Sequence, residues 1–322
     1  MRKKLFGSAV TAGILIGTGV TAVAPAVASA APTSPFVRVS IADHFDLATG
    51  QQPENIALEP DGAVDLTMSA ARQVVRVYPD GTQQVLATMP APADGGVNTP
   101  AIHFPLVSGI VRAPNGTLYF LYVTGTADLT GLYRLTPGGT PERIVALPAD
   151  SLPNGLALDA ATGELYSADS VLGTVWRMSI HGGAATEWAT GPDLDIVDFI
   201  GADGTKLHDG AVWITNMDQG TIVRIPIERD GSAGADEIKA SGLAGIDDFD
   251  FVGCSDEIIA AINLENEVDL VQPDGSSSVV LTGQDGISGP TAVLVRGNEV
   301  YITSASYSLR TDPNLVIAQL AW

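Results

Sequence analysis

The chain has 322 residues, 45% of them hydrophobic and 16% charged, and it carries one cysteine. A chain of this length can bury a substantial core, and a single cysteine excludes an intramolecular disulfide. Cys254 lies near Phe251, Val252 and Ile258, so we expect it to be buried as a small apolar side chain. With 16 basic and 37 acidic residues the net charge is −21, which disfavours nucleic acid and anionic membrane surfaces as partners.

Residues 1–30 have the layout of a secretory signal peptide. Three basic residues at 2–4 precede an apolar run over 9–23 and a small-residue cleavage motif at 28–30. The run is short for a membrane span, which needs about 20 residues. We therefore expect a secreted, monomeric domain of residues 31–322 that has no membrane contact after cleavage. This mature chain has 13 basic and 37 acidic residues and a net charge of −24.

The remainder of the chain repeats one unit six times. Each unit opens on a short polar motif, continues into an apolar strand and, after a turn, adds strands in which apolar and polar residues alternate. Such alternation is typical of half-buried strands, and repeats of about 40–50 residues are typical of propeller blades. No convincing amphipathic helix is present, so the sequence predicts an all-β, six-bladed β-propeller. The key positions of the opening motifs are 54, 108, 154, 203, 247 and 290, separated by 54, 46, 49, 44 and 43 residues.

A predicted strand over residues 36–42 stands outside this repeat. It has no opening motif of its own and comes before the first blade. We expect it to close the ring by adding an outer strand to the last blade, near residues 315–320.

The repeat also predicts where a functional site would lie. In a propeller the innermost strands line a central channel, and their starting residues converge at one mouth of it. Residues that are far apart in the sequence then become neighbours. The predicted ring consists of Glu54, Ser108, Asn154, Asp203, Asp247 and Thr291.

Three members of this ring suggest a metal site. Glu54 and Asp203 supply carboxylates and Asn154 supplies an amide oxygen, the ligand types that Ca²⁺ prefers. Two buried carboxylates that face each other without a cation would be costly. The alternative is purely structural, because Asn and Asp before glycine are common turn residues and Glu54 would then be a solvated loop residue.

The motifs resemble those of the SMP-30/gluconolactonase family of calcium-dependent six-bladed lactonases. Glu54 opens the first inner strand, Asn154 begins an Asn-Gly-Leu motif, and Asp203 begins an Asp-Gly motif one blade later. The resemblance covers roughly residues 50–305 and is most specific over residues 154–170. It implies that these three side chains hold a divalent metal, most simply Ca²⁺.

The resemblance also implies a lactonase mechanism. The metal would polarise a lactone carbonyl, and Asp203 would activate the attacking water as a general base. His103, Ser108 and Asp247 are the expected contacts to a small-molecule substrate. One departure stands out, because Val107 occupies the position where the family often has a second Asn.

Two other functions compete with this hypothesis. One is non-hydrolytic chemistry, a condensation or cyclisation like that of strictosidine synthase, which depends on a glutamate in a late blade. Here the last opening motif is Gly289-Pro290-Thr291, which argues against that version. The other is a binding propeller without turnover, which would be expected to carry exposed aromatic residues on its loops. Only 6% of the residues are aromatic, so this sign of a binding propeller is weak.

Overall fold

A computed structural model describes residues 35–321 of the chain. The predicted signal peptide, residues 1–30, lies outside the described residues. Two 3-10 helices, Leu47–Thr49 and Gly283–Asp285, interrupt a structure otherwise built of strands and turns. Within residues 35–321, no helix has the length and hydrophobicity that crossing a membrane requires.

The strands form six sheets, which we number as blades 1 to 6 in chain order. Neighbouring strands within each sheet pair antiparallel, except that the short strand Gly183–Ala184 pairs parallel with Glu142–Ala146. Blade 1 consists of Pro53–Leu58, Val64–Met68, Gln73–Val77 and Gln83–Thr88. Blade 2 consists of Leu106–Arg112, Leu118–Val123, Gly131–Leu135 and Glu142–Ala146, with Gly183–Ala184 added at its edge. Blade 3 consists of Pro153–Asp159, Glu164–Asp169, Thr174–Ser179 and Thr186–Thr190. Blade 4 consists of Ala202–His208, Ala211–Asn216, Thr221–Pro226 and Glu237–Ala240. Blade 5 consists of Ile246–Phe251, Ile258–Ile262, Glu267–Val271 and Ser277–Thr282. Blade 6 consists of Pro290–Arg296, Glu299–Ser304, Asn314–Leu320 and Phe36–His44.

The ring closes as the sequence predicts. The first strand, Phe36–His44, pairs antiparallel with the last, Asn314–Leu320, so the two ends of the described chain share blade 6. The inner strands of successive blades contact one another around the circle, including those of blades 6 and 1. The prediction of an all-β, six-bladed propeller is confirmed.

Apolar clusters between neighbouring blades hold the ring together. Each of the six interfaces between consecutive blades contains one such cluster. Trp213 of blade 4 packs with Phe249 of blade 5, for example, and Leu66 of blade 1 packs with Tyr301 of blade 6. Apolar burial stabilises by about 25 cal/mol per Å², so the blades depend on one another for their stability.

The expectation that Cys254 is buried is wrong. The cysteine is exposed, because it lies in the turn between the first two strands of blade 5. That turn is closed by the Val252 N–H, which donates to the Glu257 carbonyl at 2.8 Å. Val252 packs into the apolar core while the turn directs Cys254 outward.

Every inner strand is irregular near its start. The pairing with the second strand shifts register within the first few residues of all six blades. Such bulges bend a strand and re-aim its side chains. In this protein they fall at the positions that the repeat aligns, next to the mouth of the channel.

Candidate functional site

A cavity of about 540 Å³ opens where the inner strands begin. Four of the predicted ring residues line it: Glu54, Asn154, Asp203 and Asp247. They come from blades 1, 3, 4 and 5 and are only 5%, 8%, 1% and 7% exposed. The volume is within the usual range for small-molecule sites, about 300–1,000 Å³. The symmetry of the repeat thus brings three carboxylates and one amide into one cavity.

Glycines explain how the inner strands approach so closely. A Cβ on Gly155 would lie 2.5 Å from the Asp203 carbonyl oxygen, and one on Gly204 would lie 2.6 Å from Asp248 Oδ1. Contacts this short are not tolerated, so only glycine lets each strand pack against the opening residues of the next blade. The Asn-Gly and Asp-Gly pairs therefore lie in bulged strands, where the glycine serves close packing between blades.

Burial makes the negative charge of this cavity costly. It raises the pKa of Glu54 to about 7, despite the hydrogen bond from Tyr307 that opposes the shift. Burial also raises the pKa of Asp203 well above its ordinary value, and the charge of Glu54 adds to that effect. For Asp247, burial and then the charge of Asp203 raise the pKa in the same direction. The three carboxylates are therefore largely buried and repel one another.

These groups have few hydrogen-bond partners inside the protein. The side chains of Asn154 and Asp247 have none among the described residues, although both are more than nine-tenths buried. Asp203 accepts one long bond from the Ser170 hydroxyl, at 3.5 Å, and Glu54 accepts one from the Tyr307 hydroxyl, at 2.5 Å. Buried polar groups are normally paired, so an oxygen-binding ligand would satisfy the groups that point into this cavity.

No basic side chain within residues 35–321 forms an ion pair with these three carboxylates. The nearby Lys206 is instead 2.6 Å from Asp248 Oδ2, and Asn55 also donates to this carboxylate, at 3.3 Å. Arg310 lines the cavity but is exposed. The fold therefore pairs Asp248 with Lys206 and leaves Glu54, Asp203 and Asp247 without an ion-pair partner among the described residues.

The residues present fit a hard divalent cation. Two carboxylates and an amide oxygen form the kind of donor set that Ca²⁺ takes at about 2.3–2.6 Å. Within residues 35–321, the one group of three acidic or imidazole side chains whose ligand atoms all lie within 4.8 Å is His208, Asp209 and Asp256. The set Glu54, Asp203 and Asp247 is more widely spaced. One ion held by two of these carboxylates and the Asn154 amide therefore suits the cavity better than one held by all three.

Two predicted substrate contacts lie outside the cavity lining. The Ser108 hydroxyl donates to the Pro153 carbonyl at 2.8 Å and so links blades 2 and 3. His103 is exposed, and its Nδ1 lies 3.1 Å from the Val97 carbonyl oxygen. Thr291 of the ring links blades 6 and 1 in the same way as Ser108, through the Pro53 carbonyl at 2.8 Å. Of the three predicted contacts, Asp247 alone is among the lining residues.

Sequence reasoning missed several features of this site. Tyr307, which binds Glu54, lies in a loop after the second strand of blade 6 and follows no repeat. The pairing of Lys206 with Asp248 joins two blades and has no local signal. An apolar wall was also missed, and it includes Ile102, Phe104, Leu106, Leu152, Ile200 and Met217.

Solved structures share this fold over most of the chain. A gluconolactonase from Xanthomonas campestris matches with a TM-score of 0.62 and 15% identity, covering 91% of this chain and 99% of that one. The calcium-binding protein regucalcin from Agrobacterium tumefaciens matches with a TM-score of 0.63 and 14% identity, covering 86% and 94%. Virginiamycin B lyase from Staphylococcus aureus matches with a TM-score of 0.58 and 15% identity, covering 88% and 99%.

At these identities the likeness concerns the fold. The predicted resemblance to SMP-30/gluconolactonase propellers is therefore confirmed at the level of architecture. No protein-family model matches the sequence, and no curated protein matches it either.

Proposed function

We propose that this chain is a divalent-cation-dependent hydrolase of lactones or related esters, of the SMP-30/gluconolactonase kind. One observation carries the proposal. Glu54, Asp203, Asp247 and the Asn154 amide are buried around one cavity, and no basic side chain of residues 35–321 neutralises the three acids. The folds of a gluconolactonase and of a calcium-binding regucalcin support the same interpretation.

In this mechanism Glu54, Asn154 and Asp203 would hold the cation, for which we propose Ca²⁺. A bound ion would supply a Lewis acid for the substrate carbonyl and for the negative charge that forms on its oxygen. Asp203 takes a proton from the attacking water, whose oxygen forms the new bond to the carbonyl carbon. The ring C–O bond then breaks, and the proton passes to the departing alkoxide oxygen to give a hydroxy acid. Tyr307 holds the Glu54 carboxylate in place through its 2.5 Å hydrogen bond.

Assays on purified residues 31–322 test the proposal. Turnover of a lactone panel is measured in the presence of Ca²⁺, after removal of metal by a chelator, and after Ca²⁺ is restored. We expect turnover that the chelator abolishes and Ca²⁺ restores. Metal binding without turnover of any lactone or ester would contradict hydrolysis and favour a binding propeller or a non-hydrolytic enzyme.

Lyase chemistry is the less favoured alternative. The Staphylococcus aureus lyase structure contains a catalytically inactive variant in which a histidine is replaced by alanine. The cavity lining described here contains no histidine, so it has no counterpart of that residue.

We further propose that the protein acts outside the cell, as a monomer, on a small-molecule substrate. The signal-like segment of residues 1–30 and the acidic composition support this. Immunoblots of culture medium and cells, with size-exclusion chromatography of the released protein, test it. Retention in the cytoplasm would contradict export.

A further inference from the structure

The wall above the carboxylates is largely apolar. On one side it is the surface of a hydrophobic cluster, in which Leu106, Leu152, Ile200 and Met217 are at most 6% exposed. Ile102 and Phe104 pack against this cluster and also line the cavity. A substrate that reaches the carboxylates therefore has an apolar surface on at least one side.

The apolar surface continues to the mouth. Phe199 and Leu264 both line the cavity, yet they are 45% and 56% exposed to solvent. Large apolar side chains exposed around a cavity are a common mark of a binding surface. Their position extends the apolar wall outward from the site of chemistry.

Above the acids and Asn154 of the floor, several polar groups of the lining are already used within the protein, and Ser308 and Arg310 are exposed at the mouth. Gln52 Nε2 donates to the Ala305 carbonyl at 2.9 Å, and Asn263 Nδ2 donates to the Pro290 carbonyl at 3.0 Å. The Tyr307 hydroxyl donates to Glu54. Hydroxyls of a sugar lactone that lie along the apolar wall, beyond the acids and Asn154 of the floor, would be left unpaired, which is costly.

We infer that the cavity takes a lactone or ester bearing an apolar chain, in preference to a polyhydroxylated sugar lactone. This inference rests on the proposed function, because the reacting carbonyl is placed at Asp203. The apolar chain of the substrate then extends toward Phe199 and Leu264. The occupant is a small amphipathic molecule, since the cavity of about 540 Å³ has a polar, enclosed floor.

A matched series of six-membered lactones tests the inference on wild-type protein with Ca²⁺. The compounds are δ-valerolactone, δ-octalactone, δ-decalactone and D-glucono-δ-lactone. Each methylene that enters apolar surroundings should raise kcat/KM about fourfold. We expect an increase on the order of fiftyfold from δ-valerolactone to δ-octalactone, and the lowest value for the sugar lactone. A flat profile, or a preference for the sugar lactone, would overturn the inference while leaving lactone hydrolysis established.

Variants at the mouth locate the chain. Phe199→Gln and Leu264→Gln should each lower the ratio of kcat/KM for δ-decalactone to that for δ-valerolactone by several-fold. Val197→Gln is the matched control, because Val197 is 72% exposed and is not among the lining residues; it should leave the ratio unchanged. An equal effect of all three variants would contradict a specific chain-binding wall.

Binding measurements keep the two proposals separable. If no lactone is hydrolysed, the proposed function fails, and calorimetry with the same lactones tests the apolar site alone. Tighter binding of δ-decalactone than of δ-valerolactone would still support it, and equal binding would overturn it. The protein could also show a flat lactone profile and bind phosphatidylcholine vesicles, with the vesicle binding abolished in Phe199→Gln. This result would assign the mouth to a lipid surface and would overturn the inference of a site for an apolar substrate chain.

Discussion

Buried acids have different partners at the two ends of the inner strands. Where the strand of blade 1 ends, Glu59 lies 2.5 Å from an Arg76 nitrogen and 2.8 Å from Arg112 Nε. Arg76 also pairs with Asp65 at 2.8 Å. Where the strands begin, Glu54 and Asp203 have no basic partner among the described residues. The fold thus supplies arginines to the acids that serve structure and leaves the acids of the mouth available to a ligand.

The largest expected effect comes from removing one acid of the mouth. Asp203→Asn should lower lactone turnover at least about a hundredfold, because a general base contributes roughly 10²- to 10⁴-fold and a metal ligand is lost as well. Steady-state kinetics measure this. Asp198→Asn makes the same chemical change at an exposed position beside the mouth and should retain activity. Full activity of Asp203→Asn would refute the assigned role.

Breaking the other group of acids should affect stability instead. Arg76→Met leaves Glu59 and Asp65 buried with one cation fewer, which should lower the free energy of unfolding by about 3 kcal/mol. Arg134→Met is the control, because it removes an ion pair in which Glu142 is 65% exposed; such a pair contributes at most about 1 kcal/mol. Urea unfolding in chelator measures both.

Urea unfolding of Asp203→Asn in chelator extends this comparison to the acids of the mouth. Without metal, this variant removes an uncompensated buried charge, so its free energy of unfolding should equal or exceed that of the wild type. A loss as large as that of Arg76→Met would mean that the mouth acids are structural.

Metal and pH should act together on the mouth. Burial raises the pKa of Glu54 from 4.5 to about 7, so the folded protein holds this proton more tightly than the unfolded chain does. Without metal, stability should therefore fall as the pH rises from about 4.5 to 7, and the raised pKa values of Asp203 and Asp247 act in the same direction.

Calcium should reverse this loss at neutral pH. At a hundredfold excess over Kd a ligand stabilises by about 2.7 kcal/mol, which should raise the melting temperature by several degrees. At pH 5 protons compete for the same oxygens, so the increase should be smaller. Scanning calorimetry with and without Ca²⁺ checks this, and an equal increase at both pH values would contradict binding at the carboxylates.

Much of the fold is legible in the sequence because its signals are local. The turns, the alternating strands and the repeat period near 45 residues define six blades. The strand predicted at 36–42 lies outside this repeat and is left to pair as the outer strand of the last blade. The phase of the repeat then places Glu54, Asn154, Asp203 and Asp247 around one cavity.

The rest of the site depends on contacts that no local pattern encodes. Ser108 has the right phase, but its hydroxyl is used by the Pro153 carbonyl of the next blade. Tyr307 and Phe199 reach the cavity from loops whose course follows from the packed blades. Cys254 has apolar neighbours in sequence and yet is exposed, because a tight turn decides its direction.

Calorimetric titration of Ca²⁺ into chelator-treated protein measures whether the acids of the mouth bind the ion. We predict that the wild type binds one equivalent and that a Glu54→Gln/Asp203→Asn double variant that still folds binds none. Undiminished binding by the double variant, or no binding by the wild type, would contradict this prediction.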